Sequence, residues 1–345
     1  MAQKTNQGRD QFVDIMRGIA MLMVVLGHTM TGCTVDSQKS LLFNIIWSLQ
    51  MPLFILISGY VTKYSRAICD GTGLWKYVKR RTVSYMLPWA VWSFLIRGLI
   101  FGQTAFWDIK DLLWNMDSGY WFLVTIWTIS MVFGGASYLA ERFGKSGKMR
   151  KQMVLLLCYL AGMILLVGIG MIMGFSFFAI KLTLYYMPFY YAGYLYGQID
   201  DKLMSTKQGK TVVDCCIALC FAIWIYVILR ISLYEMSDNG IAIILRAGTS
   251  LAGCIAICGL LNGIVAEIGG GRVLSWVGKH SLEIYLTHYL LLSLVKLDGW
   301  PTFHAPAGMM LVLVNYTLTV LLVMLVILAI NRNKMLAFIL TGKKV

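Results

Sequence analysis

Between Lys151 and Lys181 no side chain is charged, and leucine, isoleucine, methionine, valine and glycine make up most of the stretch. Hydrocarbon offers no partner to an open backbone N–H or C=O, so a segment able to dissolve in it must close its hydrogen bonds within a helix. Runs of the same kind recur along all 345 residues. A bilayer crossing takes roughly 20 apolar residues. The runs predict about ten, near 12–31, 41–63, 83–101, 120–140, 153–174, 176–196, 212–234, 241–265, 273–292 and 308–331. Composition agrees, with 59% of residues hydrophobic and 13% charged, where soluble domains hold about 25% charged. The expectation is an all-α polytopic membrane protein, one integral domain over 1–345 with its core at 10–331.

The formal net charge of +14 invites a nucleic-acid reading, but the positions of the cations argue against it. With the N-terminus inside, 22 of the 30 lysines and arginines fall on cytoplasmic segments and 3 on outer ones. That is the positive-inside asymmetry of a plasma (inner) membrane protein with both termini cytoplasmic. The first run follows a basic segment, as a signal peptide would. A histidine in its apolar part, with nine more spans after it, favours a retained helix. The eight cysteines include no C-x-x-C pair, and those inside spans have no histidine beside them. No metal site is expected.

The informative residues are then the polar ones where lipid should be, since each costs several kcal/mol unless it meets a partner or a wet cavity. On the opening helix Arg17 and His28 are eleven residues apart, about 20° past three full turns and about 16 Å along the axis. Asp14 lies one turn before Arg17 on the same stripe, spaced for an i,i+3 ion pair at the cytoplasmic mouth. Two readings stay open for this stripe. His28 is either a structural histidine bonded to a neighbouring helix or a base in a polar cavity near the midplane.

Near the end, "GKHSLEIYLTH" sets Ser281, Tyr285 and His288 on one helical face, with Lys279 and His280 nearer the cytoplasm. Glu283 points elsewhere and needs a partner or a proton. A polar seam that merely holds helices together is the alternative to a site. Arg97, Lys181, Arg230 and Arg246 fall near the outer ends of four spans. Snorkelling explains any one of them; together they could form a cationic vestibule for an anionic ligand. Lys79, Arg80 and Arg81, with Arg17 and Lys279, form a cytoplasmic set able to bind a nucleotide diphosphate, and topogenic lysines and arginines are the alternative.

In this order the pieces resemble the membrane-bound acyltransferase-3 family. The match runs through Asp14, Arg17-Gly18 and His28 on the first span and "MPLFILISGY" at Met51–Tyr60, which includes Ser58. It continues through Trp121-Phe122-Leu123 opening the fourth span and Ser281, Tyr285 and His288 near the end. In phrasing it is similar to members that acetylate surface glycans, the fucose O-acetylase branch among them. Ser84 stands where the family often carries a second arginine three residues after Arg81.

The resemblance implies transfer of an acyl group, acetyl first, from cytosolic acyl-CoA to a hydroxyl of a surface or lipid-linked carbohydrate. In that scheme His28 is the base and Asp14 holds Arg17, while Arg17, Arg80, Arg81 and Lys279 take the donor. Ser58, Trp121, Ser281, Glu283, Tyr285 and His288 would line the acceptor side. Acetyl-CoA would be a co-substrate, with no tightly bound cofactor, no metal and no nucleic acid; a homo-oligomer stays open. The rival class is a glycan-intermediate transporter or flippase without acyl transfer. Such proteins often show paired broken helices in two halves, and Pro52, Pro88 and Pro188 do not fall into matching halves.

Overall fold

The computed structural model describes residues 10–96, 113–114, 116, 119–144, 147–199, 206–264, 271–297 and 299–343. These residues are helical, joined by short loops and one isolated bridge between Val35 and Thr302. The helices are α1 (Gln11–Cys33), α2 (Leu41–Tyr60), α3 (Gly71–Ala90), α4 (Trp121–Phe143), α5 (Lys148–Met173) and α6 (Ile180–Gly197). Then come α7 (Lys207–Arg230), α8 (Gly240–Ile264), α9 (Gly271–Lys279), α10 (Ser281–Thr287), α11 (Pro306–Asn331) and α12 (Lys334–Thr341). Several starts are fixed by side chains that accept from otherwise orphaned backbone N–H groups. Asp10 accepts from Phe12 at 3.0 Å, Ser40 from Phe43 at 3.2 Å and Thr206 from Gly209 at 3.1 Å.

Seven helices among the described residues are long and apolar enough to cross a membrane: α1, α2 with its 3-10 extension to Tyr64, α4, α5, α7, α8 and α11. The other three predicted spans take different forms. The span predicted at 83–101 belongs to a helix that starts at Gly71, and α3 carries the "KYVKRR" stretch in its first half. Residues 97–112 of that neighbourhood lie outside the described residues. The span at 176–196 becomes α6, whose six tyrosines lower its hydropathy. The span at 273–292 is not one helix. α9 ends at Lys279, His280 sits at φ −104°, ψ 15°, α10 runs seven residues, and a 3-10 turn carries His288–Leu291.

The chain divides into two compact units. One comprises Met1–Lys63 and Tyr191–Ala329, the other Tyr64–Tyr190 and Ile330–Val345. In the first, α1 packs along α9 and α2, α2 also meets α7 and α8, and α7 and α8 pair with each other. α1 and α2 are its interior, 67% and 72% buried over their most apolar stretches, against 11% for α7. Asn44 locks this unit from within. Its amide donates to the carbonyls of Ile228 and Ile231 at 2.9 and 2.7 Å and accepts from Leu233 N–H at 2.9 Å, taking up the groups that the end of α7 leaves open. In the second unit α4 packs on α3 and α5, and α12 lies on α3.

Candidate functional site

The opening helix is continuous from Gln11 to Cys33, so Arg17 and His28 do share one helix and one face. Asp14 is 1% exposed and Arg17 half-buried. Two glycines explain what lies against this end. A Cβ on Gly18 would overlap the Leu274 carbonyl, and a Cβ on Gly278 would overlap the Asp14 carbonyl and lie 3.0 Å from the Gly18 nitrogen. α1 and α9 therefore cross backbone to backbone, the approach that small residues permit between apolar helices. Arg17 precedes one of these glycines and Lys279, which is exposed, follows the other. The crossing brings the two cations to the same level.

Beyond the crossing the chain breaks at His280 and continues as α10. Glu283, 1% exposed, meets His280, whose Nδ1 lies 3.3 Å from Glu283 Oε1. The partner that the sequence required for this acid is thus one turn back on its own segment. Ser281 opens α10 half-buried, Tyr285 is buried, and the rings of Tyr285 and His288 are 6.1 Å apart.

Further on, the two chain segments bring two histidines together. The imidazoles of His28 and His288 have centroids 5.4 Å apart and a 41° interplanar angle. Tyr289 stands edge-on to His28 at 5.8 Å. His28 is exposed although Gly27, Thr29 and Met30 around it are buried. His288 is 2% exposed, and its Nδ1 donates to the Ile284 carbonyl at 2.9 Å. A carbonyl can only accept, so Nδ1 carries the proton and Nε2 carries the lone pair. That Nε2 is buried without a hydrogen-bond partner among the described residues, which costs about 1–3 kcal/mol if nothing fills it.

The other sequence candidates have local partners of their own. Ser58 spends its hydroxyl on the Phe54 carbonyl at 2.8 Å. Arg230, the last residue of α7, lies over the Tyr226 ring at 5.6 Å. Arg246 donates to the Met236 carbonyl at 2.9 Å and meets Asp238 at 3.5 Å, closing the loop before α8. Lys181 is exposed in the second unit, and Arg97 lies outside the described residues.

In the second unit Trp121 stacks on Tyr186 at 5.7 Å. Arg80 and Arg81, adjacent in sequence, take different faces of α3. Arg80 is exposed, while Arg81 turns inward and donates to Tyr85 Oη at 3.1 Å, over the ring of Tyr77 at 5.4 Å. Tyr77 in turn donates to the Ser130 carbonyl at 3.1 Å. A half-buried guanidinium ringed by phenols, with no carboxylate against it among the described residues, suits an anionic group.

Sequence reasoning passed over one pair that shapes the site. Asn315 and Thr319 of α11 are fully buried. Asn315 accepts from Val295 N–H at 2.9 Å and donates to its carbonyl at 3.0 Å, and Thr319 donates to the Leu291 carbonyl at 2.9 Å. They hold the backbone just after His288. The signal was an asparagine and a threonine at i,i+4, with Tyr316 and Thr317 between them, inside a long apolar run.

A family model described as an acyltransferase domain matches residues 10–332. The nodulation protein NolL of Sinorhizobium fredii is 27% identical over 239 residues, covering 63% of this chain and 58% of that protein. NolL of Mesorhizobium japonicum is 27% identical over 127 residues, 33% of this chain and 32% of that one. The chain thus aligns with well under two thirds of the length of the curated relatives it matches. No solved structure matches. With Arg17, His28 and His288 all inside the matched span, the chain belongs to the acyltransferase-3 family.

Proposed function

We propose that this protein is a transmembrane O-acyltransferase that moves an acyl group, acetyl first, from cytosolic acyl-CoA to a hydroxyl of a carbohydrate. The observation that carries the reading is the exposed imidazole of His28 beside the buried His288, on the same helix as Arg17. Arg17 and Lys279, levelled by the Gly18–Gly278 crossing, offer two cations to the diphosphate of CoA. The pantetheine arm would then run along α1 over the roughly 16 Å from Arg17 to His28.

At the thioester, His28 takes the proton of the acceptor hydroxyl while its oxygen attacks the carbonyl carbon. The C–S bond breaks, and the imidazolium returns the proton to the leaving thiolate, giving the ester and free CoA. The lone pair on His288 Nε2 can accept from the His28 ring and hold it in the basic tautomer, a positioning role. Acyl transfer is supported by the family, and the carbohydrate acceptor by the resemblance to surface-glycan acetylating members. The plasma membrane as location is supported by the charge asymmetry of the loops.

The test is purified protein with radiolabelled acetyl-CoA, where water stands in for the acceptor hydroxyl and the products are acetate and free CoA. Wild type should release CoA, and His28→Ala should bind acetyl-CoA with unchanged affinity yet lose at least ~100-fold in release, the scale of a general base. Retained turnover in the variant would remove His28 from the chemistry, and a wild type that consumes no thioester would point to transport instead.

A further inference from the structure

Among the membrane-length helices of the first unit, α7 is the least buried, at 11% over its most apolar stretch. It meets its neighbours on one side, where Trp224 and Ile228 are buried. A Cβ on Gly253 of α8 would touch the Trp224 ring, and one on Gly259 would touch the Ile217 side chain. The antiparallel register set by these two contacts puts Arg230 level with Arg246. Two arginines at one level, at the ends of their apolar stretches, mark an edge of the hydrocarbon, where long cationic side chains reach back to water. Counted back from Arg230, roughly 20 residues of helix cross the ~30 Å core, so the other edge falls at Lys210. Asp214 lies one turn inside that edge, about 6 Å deeper.

An acid at that depth ordinarily faces a protein interior or a wet cavity and has a cation beside it. Asp214 has neither. It is exposed, on a side of α7 that α8 and α2 leave uncovered, and it has no hydrogen-bond or ion-pair partner among the described residues. Its side chain is too short to reach back to the headgroups as a lysine does. The helix dipole does not account for it either, because that field fades after the first turn and Asp214 is seven residues past Lys207. Lys210 is one turn before it, likewise exposed and without a partner among the described residues. Within one helix, a lysine four residues ahead of an acid is the weaker orientation, and here the two do not pair. Past Asp214 the same ridge continues at i+4 and i+8 with Ala218 and Ala222, both exposed. Small residues there let the backbone of another helix approach closely.

We infer that this ridge is the contact face of a parallel homodimer, in which Lys210 of each copy pairs with Asp214 of the other. The occupant is a second copy because the ridge is complementary to itself. Two copies inserted in the same orientation bring α7 to α7 at equal depth, related by a two-fold axis along the membrane normal. In such an isologous contact every pairing occurs twice. A cation and an anion one turn apart on one ridge therefore meet as two opposite-charge pairs across the axis, and the lysine stem spans the offset of one turn. Ala218 and Ala222 then allow the two backbones to close together deeper in the bilayer. A partner of another kind would have to carry an acid and a cation at this spacing, and this chain already carries both. The inference goes beyond acyl transfer and does not depend on it.

The test co-expresses two forms of the full chain that carry different affinity tags and captures one through the other from a mild detergent extract. Wild type should capture itself. Lys210→Asp places two acids on the ridge and Asp214→Lys two cations, so each variant should lose self-capture by about tenfold or more, as like charges brought face to face do. Expressed together, the two variants should capture each other at the wild-type level, because one helix then supplies both acids and the other both cations. That recovery also shows that both variants fold. Ala218→Ile, which keeps the ridge apolar but raises it, should lower wild-type capture on its own. A wild type that never captures itself would overturn the dimer. Self-capture unchanged in both charge variants and in Ala218→Ile would place the contact on another face and overturn this one. A mixed pair that captures no better than either variant alone would overturn the charge pairing and leave Asp214 to water.

Discussion

His288 is the residue whose meaning changed most between chain and fold. In the sequence it is the last member of an i, i+4, i+7 face, equal in weight to Ser281 and Tyr285. In the structure it is buried, its Nδ1 proton is committed to the Ile284 carbonyl, and its ring lies 5.4 Å from that of the exposed His28. A positioning role predicts a graded effect. His288→Gln keeps an acceptor in the pocket and should retain more activity than His288→Ala, which should lower kcat about 10–100-fold with acetyl-CoA affinity unchanged. Loss of the base's orientation should also flatten the acid limb of the pH–rate profile, since a misplaced imidazole no longer controls the rate. Equal activity in wild type and both variants would reduce His288 to packing. Spacing made His28 and His288 legible as candidates. Their juxtaposition was not, because it depends on how two segments some 260 residues apart are packed.

At the scale of elements, the first unit depends on contacts that leave no hydrophobic signature. Gly18 and Gly278 matter for the side chains they lack, since either Cβ would overlap the backbone of the facing helix. Gly278→Val should therefore destabilise the protein by about 1–3 kcal/mol or more, as overpacking does, and weaken acetyl-CoA binding by separating Lys279 from the level of Arg17. Thermal unfolding in detergent and a donor-binding isotherm measure the two effects. Gly135→Ala in α4, where a Cβ meets nothing within 4 Å, should be neutral or slightly stabilising because alanine loses less backbone freedom in a helix. The same scale explains why the ninth predicted span does not appear as one helix. Its hydrophobic count favoured a crossing, but Lys279, His280 and Glu283 fall together at one level. The segment breaks there, and the turn lets His280 meet Glu283.

For the whole molecule, seven helices meet the requirement for crossing a membrane among the described residues, and the charge asymmetry predicts where the loops lie. Single cysteines placed in a cysteine-free background at Ala2 and Lys343 should be labelled by a membrane-impermeant maleimide only after the bilayer is opened. One placed at Ser237, in the loop before α8, should be labelled in intact cells. Labelling of the two termini in intact cells would reverse the orientation and with it the cytosolic donor side. By itself the sequence determined the helical, lipid-dissolved class of the chain and the stripe that joins Arg17 to His28. Hydropathy and the 3.6-residue period are properties of a segment alone, so they can be read from it. Only the tertiary structure decided that α9 crosses α1 at Gly18 and Gly278, that His288 meets His28, and that Asn315 and the Val35 bridge fix the chain beyond them. Those outcomes depend on backbone approach and hydrogen bonds between distant segments, where shape selects the partner and apolar periodicity carries no information about it.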